Sequence, residues 1–374
     1  MEEAKRAAVD ELCRVASQPR EAVRGKILSL AGSTRSCYAD DWQIQRMGDG
    51  VFADMMLLDG CFLLQFMVSM CPDDDSDAPP EADPLMSRGE VHTHIDAIAR
   101  DVLLLENQIP WLVLEALMEF RPAVPVRRFL ALMASAFDIG NDRADSPTDL
   151  QGRQPNRDDQ DQPPPHLLGL FHRRQVGAAR TQSLRVPRLS SLSSTAVELA
   201  EMGVKLTASK SKKFGDMSMS KRRRKGLFGE LSLAPLVLND LTSCWLFNMA
   251  AYEACLGATQ ADNFAVSSYL SLASLLMNRE GDVQELRAKG IINSAWSDMR
   301  TLDFFKWAAP PLSVGHRYYH IFERLQEYKQ ERRVWIAVHR FLYKNIKTVV
   351  AVLSVVGVLA GLFKTILSLK QPQR

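Results

Sequence analysis

Residues 51–70 read VFADMMLLDGCFLLQFMVSM and residues 348–369 read TVVAVLSVVGVLAGLFKTILSL. Both are long and apolar enough to cross a bilayer, so the architecture turns on which of them does. The first holds nine Val, Leu or Phe residues, each worth roughly −0.3 to −0.6 kcal/mol on insertion. Asp59 near its centre costs roughly +2.5 to +3.5 kcal/mol, and Asp54 adds to that. The sum is near zero or unfavourable, so 51–70 is predicted to be a helix buried in protein. The second stretch carries no charge from Thr348 to Phe363. Those residues alone reach about 24 Å as a helix, short of a hydrocarbon core of ~30 Å. Continuing to Leu369 reaches about 33 Å and includes Lys364, whose stem can lie in the apolar zone while its ammonium meets head groups. The thirteen Val, Leu, Ile or Phe residues contribute roughly −5 kcal/mol. A transmembrane helix at 348–369 follows; the competing reading is one more helix inside a globular body.

Charge sets the expected orientation. Arg332, Arg333, Arg340, Lys344 and Lys347 precede the span, whereas only Lys370 and Arg374 follow it. The positive-inside bias places the body in the cytosol. The opening MEEAKRAAVDELCRV has no apolar core of a signal peptide, which agrees.

The chain has 374 residues, of which 46% are hydrophobic, enough for one large domain or two smaller ones. With 46 basic against 44 acidic residues, bulk charge does not mark it as a nucleic-acid binder. Six cysteines (Cys13, Cys37, Cys61, Cys71, Cys244 and Cys255) lack C-x-x-C spacing and read as reduced, mostly buried thiols.

Helical periodicity runs through most of the chain. A pair of helices broken near Pro19 is expected in 1–30. Ile44, Met47, Val51, Met55, Leu58, Phe62, Phe66 and Met70 step by three or four and mark a core helix. Two helices are expected at 92–107 and 110–120, with Pro110 in the first turn of the second. Residues 240–256, with Leu241, Trp245, Met249 and Tyr252 on one side, and 264–277 are further helices. Asp282 and Glu285 have capping spacing and Gly290 reads as a stop, bounding a helix at 283–289. A long aromatic helix is expected at 316–347, its stripe of Tyr318, Ile321, Phe322, Leu325 and Tyr328 covered by the protein's own core. Leu231 to Leu238 is expected to be extended. The fold class is therefore mainly α, a multi-helix body with little β. It divides into an N-terminal helical segment (1–137), a polar, proline-rich linker (138–165), a C-terminal helical segment (166–345) and the terminal helix (348–369). The linker has too little apolar content to order itself, as does the acidic loop 73–84. The two helical segments need not form two cores.

No catalytic, cofactor-binding or metal-ligating set emerges. His92 and His94 lack a third ligand, and His316 and His320 enclose no H-E-x-x-H glutamate. Asp54 and Asp59 lie about 140° apart around a helix, so they do not face one substrate. Lys221–Lys225 reads as a solvated loop, with nuclear import or anionic-lipid contact as functional alternatives. Glu106, Asn107 and Gln108 are expected to satisfy backbone groups where one helix ends and the next begins. On that reading Glu106→Ala lowers stability by more than about 1 kcal/mol.

Several stretches resemble one plant family, domain of unknown function 247 (UPF0481). The most specific is DVLLLENQIPWLVLE from Asp101 to Glu115. Others are Met55 to Phe62, Ala196 to Lys205, Asn248 to Glu253, and Gly281 to Ile292, in the family's order and with its final hydrophobic helix. Ala250 and Ala251 stand where the family has a bulkier apolar residue. The family's usual S-I-G-P-[YF]-H-like opening motif does not occur, which fits either a truncated reading or a lost segment. The resemblance implies a plant protein with a C-terminal membrane helix and no established enzymatic activity; some grass members are associated with pollen self-incompatibility recognition. The expected function is thus that of a single-pass, membrane-anchored, non-catalytic interaction or signalling protein. Its expected partners are the lipid bilayer and an unknown protein, with no cofactor, nucleic acid or small-molecule substrate. The alternatives are a membrane-tethered enzyme of unrecognised type and a truncated, non-functional family member.

Overall fold

The computed structural model describes residues 1–38, 41–72, 85, 89–138, 163–177, 194–221, 228–256, 264–308 and 312–369. The acidic loop at 73–84, almost all of the expected linker and Arg222–Lys225 lie outside them. The fold is 71% helix and 7% strand. The N-terminal segment comprises α1 (Glu2–Ala16), α2 (Arg20–Ser29), α3 (Ala31–Arg35), α4 (Trp42–Arg46), α5 (Asp49–Met70), α6 (Gly89–Thr93), α7 (Ile95–Asp101), α8 (Trp111–Met118) and α9 (Val126–Ser135). Next come α10 (Leu167–Val176), α11 (Ala196–Glu201) and the strands β1 (Val204–Ala208), β2 (Ser218–Lys221), β3 (Gly229–Leu233) and β4 (Leu236–Leu238). The chain then runs through α12 (Asp240–Leu256), α13 (Ala265–Leu276), α14 (Glu280–Ala288), β5 (Ile292–Ser294) and α15 (Asp298–Ala308). It ends in α16 (His316–Glu331), α17 (Arg333–Lys344) and α18 (Ile346–Leu369).

α5 is the axis of the N-terminal segment, with α1, α2, α8 and α9 packed around it. It is apolar almost all round, and Phe52, Met56, Leu57, Cys61, Leu64, Phe66 and Met67 are buried. The expected stripe is off by one register: Val51 is 63% exposed, while its neighbour Phe52 is in the core. Nearly every position is apolar there, so periodicity could not choose a face. The two aspartates are held at the rim by different helices. Asp59 meets Lys5 of α1 at 2.6 Å and Asp54 meets Arg24 of α2 at 2.5 Å. The hydrogen bond from Arg24 holds the Asp54 carboxyl below its ordinary range. Both charges are thus paired at the solvent edge of a protein bundle, in keeping with the insertion arithmetic.

The sequence break near Pro19 is real: Ser17 turns left-handed at φ 51° and Pro19 precedes α2. Other helices are interrupted where the sequence reads as continuous. Met47 and Gly48 separate α4 from α5, and Arg332, at φ −127°, ends α16 inside the expected 316–347 helix. The buried stripe of α16 is the expected one, Tyr318, Ile321, Phe322, Leu325 and Tyr328. The extended run is split by Ala234 and Pro235 into β3 and β4. β3 is the centre of a three-stranded sheet, parallel to β1 and antiparallel to β2, and β4 pairs in parallel with the distant β5. Gly203, at φ 80°, makes the left-handed turn from α11 into β1. Gly290, at φ 66°, stops α14 as expected.

One hydrophobic core holds residues from both sides of the 139–162 stretch. Phe137 sits 6.4 Å from Phe171, 5.8 Å from Phe214 and 6.0 Å from Trp245, ring centre to ring centre. Cys61 and Cys71 are buried, but Cys13 and Cys244 are half-buried and Cys37 and Cys255 exposed, so the thiols are less buried than expected.

Close approach of α8 to α5 depends on Gly60: a Cβ there would lie 2.5 Å from Leu117 Cδ1. Gly60→Val is expected to destabilise the protein by about 1–3 kcal/mol through overpacking, in spite of removing a helical glycine. Denaturant unfolding with unchanged midpoint would refute this.

Candidate functional site

Three places combine chemistry with position: a buried polar joint between the two helical segments, an aromatic shelf on α12 and α15, and the apolar terminal helix.

The joint is built from the residues that carry the most distinctive sequence patterns. Gln108 is buried. Its amide nitrogen donates to the carbonyls of Val102 at 3.0 Å and Leu104 at 2.7 Å, and its oxygen accepts from the Leu168 N–H at 2.8 Å. It therefore closes the end of α7 and caps the start of α10 at once. Asn107 donates to the Asp101 carbonyl at 3.3 Å. Asn248 on α12 accepts from the Leu105 N–H at 2.8 Å. Glu106, by contrast, is exposed. The expected role of the trio is thus met by Gln108 and Asn107, and the predicted cost of Glu106→Ala is corrected to that of a surface change.

Glu253, 1% exposed, lies one helix deeper. Its carboxylate accepts from the N–H groups of Val266 and Ser267 at 2.8 Å each, from Ser267 Oγ at 2.6 Å and from His172 Nε2 at 2.8 Å. Two of those donors are orphan amides in the first turn of α13, where a negative charge also meets the helix dipole. Tyr252 packs edge-on against both His166 and His172 at 5.1 and 5.4 Å. His166 begins α10, and its Nδ1 accepts from the Gly169 N–H at 3.1 Å. Burial pushes its pKa down from 6.5 to about 4, so it stays neutral, as its acceptor role requires. The cluster brings His166, His172, Tyr252 and Glu253 together from α10 and α12, both in the C-terminal segment. Glu253 is engaged on both oxygens and His172 is 5% exposed, which makes this a set of helix caps and packing contacts.

Asp282 is a third cap. Sequence spacing suggested a first capping position, but it is the third residue of α14, accepting from the N–H groups of Asn278, Arg279 and, across the interface, Val197. Thr195 and Glu198 form a reciprocal capping box on α11. These residues line a cleft of 410 Å³ that Glu201 and Lys344 complete. His92 and His94 are exposed, and no group of three side chains suited to a metal ion occurs among the described residues.

The shelf has no counterpart among the expected features. Phe247 of α12 lies 5.2 Å from Phe304 and 5.1 Å from Trp307, and Phe304 lies 5.6 Å from Trp296. Trp307 is 71% exposed, Met299 is exposed too, and the Arg300 guanidinium sits 4.2 Å over the Trp296 ring. Arg300, Phe304 and Trp307 step by four and three along α15, opposite the buried Leu302 and Phe305. That second stripe was the available signal.

Two helices are long and apolar enough to cross a membrane. In Asp49–Met70 the apolar window is 61% buried, and in Ile346–Thr365 none of it is.

The joint makes two testable claims. Gln108→Leu is expected to cost about 2–4 kcal/mol by orphaning three backbone groups, while Glu106→Ala stays within about 0.5 kcal/mol; equal melting temperatures for the two would refute the assignment. His166 is neutral when folded and titrates near 6.5 when unfolded, so protons favour the unfolded chain as pH falls from 6.5 towards 4. Its share of stability is present above that window and lost through it. His166→Asn, which keeps a capping acceptor, is expected to flatten the fall of melting temperature over that window; an unchanged slope would refute the claim.

A family profile described as a plant protein of unknown function matches residues 1–360. Among relatives, the UPF0481 protein At3g47200 of Arabidopsis thaliana is 24% identical over 305 residues. The match takes in 75% of this chain and 58% of that protein, so the chain spans less than two thirds of that relative's length. No solved structure matches. The stretches that stitch the two helical segments together are those that resembled the family, and the matched region reaches into α18: the chain belongs to the plant family of unknown function known as domain of unknown function 247.

Proposed function

We propose that this protein is a single-pass, membrane-anchored interaction protein without catalytic activity, its body on the cytosolic side. One observation carries the anchor: the 20-residue apolar stretch Ile346–Thr365 leaves the body with none of it buried. A soluble fold does not leave so long an apolar helix uncovered, because the hydrophobic effect drives that surface out of water. α18 has 24 residues and reaches about 36 Å, enough for a hydrocarbon core of ~30 Å with some tilt. The excess of Lys and Arg before the span supports the cytosolic placement.

The interaction role rests on the aromatic shelf. Exposed Trp307 and Met299, with Phe247, Phe304 and Arg300, have the composition of an interface centre, where Trp and Arg are enriched. The partner is a protein that presents an apolar surface to that shelf.

A fluorescent fusion of the whole chain is expected to fractionate with membranes and resist alkaline extraction, and the same fusion ending at Lys347 to be released. Identical soluble behaviour of both would sink the anchor. Proximity labelling by whole-chain fusions is expected to yield a partner set that Trp307→Ala with Phe304→Ala loses; an unchanged set would remove the shelf from the argument.

A further inference from the structure

α17 joins the body to the terminal helix, and its twelve residues present three different faces at about 100° per residue. The inner face is docked. Trp335 and His339 pack against Phe228 at 5.3 and 5.7 Å, and His339 Nδ1 lies 2.9 Å from the Glu201 carbonyl. The outer face is apolar and uncovered: Val334 is 79% exposed, Val338 46%, Phe341 63% and Leu342 38%. Their spacing of four, three and one puts them on one stripe. Arg333, Arg340 and Lys344 form the third face, beside the docked one, and Lys347 follows in the first turn of α18. Arg340 and Lys344 reach Glu201 at 3.6 and 3.3 Å, and no acidic residue occurs from Arg332 to the end of α18.

We infer that α17 is an in-plane interfacial helix that lays Val334, Val338, Phe341 and Leu342 into the head-group boundary of an anionic leaflet, with exposed Arg333 and the solvent-facing sides of Arg340 and Lys344 towards lipid phosphates. The inference deepens the anchor reading and rests on it. Two observations and the cytosolic placement proposed above select lipid as the occupant. Only Asn345 separates α17 from α18, so the uncovered stripe continues into the helix proposed to cross the bilayer. The uncovered apolar face, on a helix that carries cations and no acid of its own, is the composition of a membrane-surface helix. The positive face stands where the inner leaflet's negative potential is strongest. The docked inner face then turns the contact into an orientation: the body is held against the membrane by one side.

The test reconstitutes the whole chain in vesicles of phosphatidylcholine with or without phosphatidylserine. A photo-crosslinking benzoylphenylalanine replaces Phe341, Trp335 or Val356 in turn. Positions 341 and 356 are expected to yield lipid adducts and 335 none, with the yield at 341 rising about tenfold when phosphatidylserine is present. A lipid adduct at 356 without one at 341 overturns the inference and leaves the span standing. An adduct at 341 without one at 356 overturns the span and supports surface binding by α17. A dimer-sized product from 341 assigns the face to a second copy and overturns the inference, and a yield at 341 indifferent to phosphatidylserine overturns its electrostatic half.

Discussion

Every helix that begins inside a protein presents backbone N–H groups with no intrahelical partner, and leaving them buried and unpaired costs about 1–3 kcal/mol each. In this chain that constraint decides where the polar residues of the core stand. Glu253 closes the start of α13 with both carboxylate oxygens, Gln108 the start of α10, and Asp282 the start of α14 while also holding Val197 of α11. Glu253 reaches α13 from α12, and Gln108 reaches α10 from the loop between α7 and α8, so satisfying a helix end also fixes a tertiary contact. The two helical segments, separated by a long polar stretch, meet through such contacts: Gln108 to Leu168, and Asn248 to Leu105. The joint tolerates few substitutes on chemical grounds. An amide that donates twice and accepts once cannot be exchanged for a carboxylate or a hydroxyl without leaving a carbonyl or an N–H unpaired.

The pairing of charge separates two helices that composition alone treats alike. α5 and α18 are both long and apolar. α5 carries Asp54 and Asp59, and the fold supplies Arg24 and Lys5 to meet them. α18 carries only cations, near its ends, and none of its apolar stretch Ile346–Thr365 is buried. A carboxylate in an apolar helix therefore works as a marker of protein surroundings, since a bilayer has no counter-ion to offer at that depth.

Much of this was legible in the sequence. Helices α1, α2, α12 and α13 lie where periodicity put them, and the stripe from Tyr318 to Tyr328 is buried as read. Local rules failed where the deciding partner is distant. β1 and β2 had no expected counterpart, because their strand pairing comes from β3, and β4 finds its partner in β5, far along the chain. Val51 and Phe52 could not be told apart inside an almost wholly apolar helix. Glu106 and Gln108 looked equivalent as a polar pair, and only the path of the backbone buries one and exposes the other. The shelf on α15 escaped notice because its stripe of Arg300, Phe304 and Trp307 shares the helix with the buried Leu302 and Phe305.

The break at Arg332 shows how local and long-range demands are reconciled. A straight helix over 316–347 would extend about 48 Å and carry its basic end away from the body. Instead α16 is locked by the Tyr328 hydroxyl, which donates to the Met202 carbonyl at 3.1 Å. α17 is then pinned to the same neighbourhood by His339 at Glu201 and by Trp335 at Phe228. Both helices seat on the turn from α11 into β1, so the chain must bend between them. The consequence is positional. The last residue tied to the body, Lys344 at Glu201, stands two residues before the first residue of α18. No free tether intervenes, and α18 takes its placement relative to the body from packing.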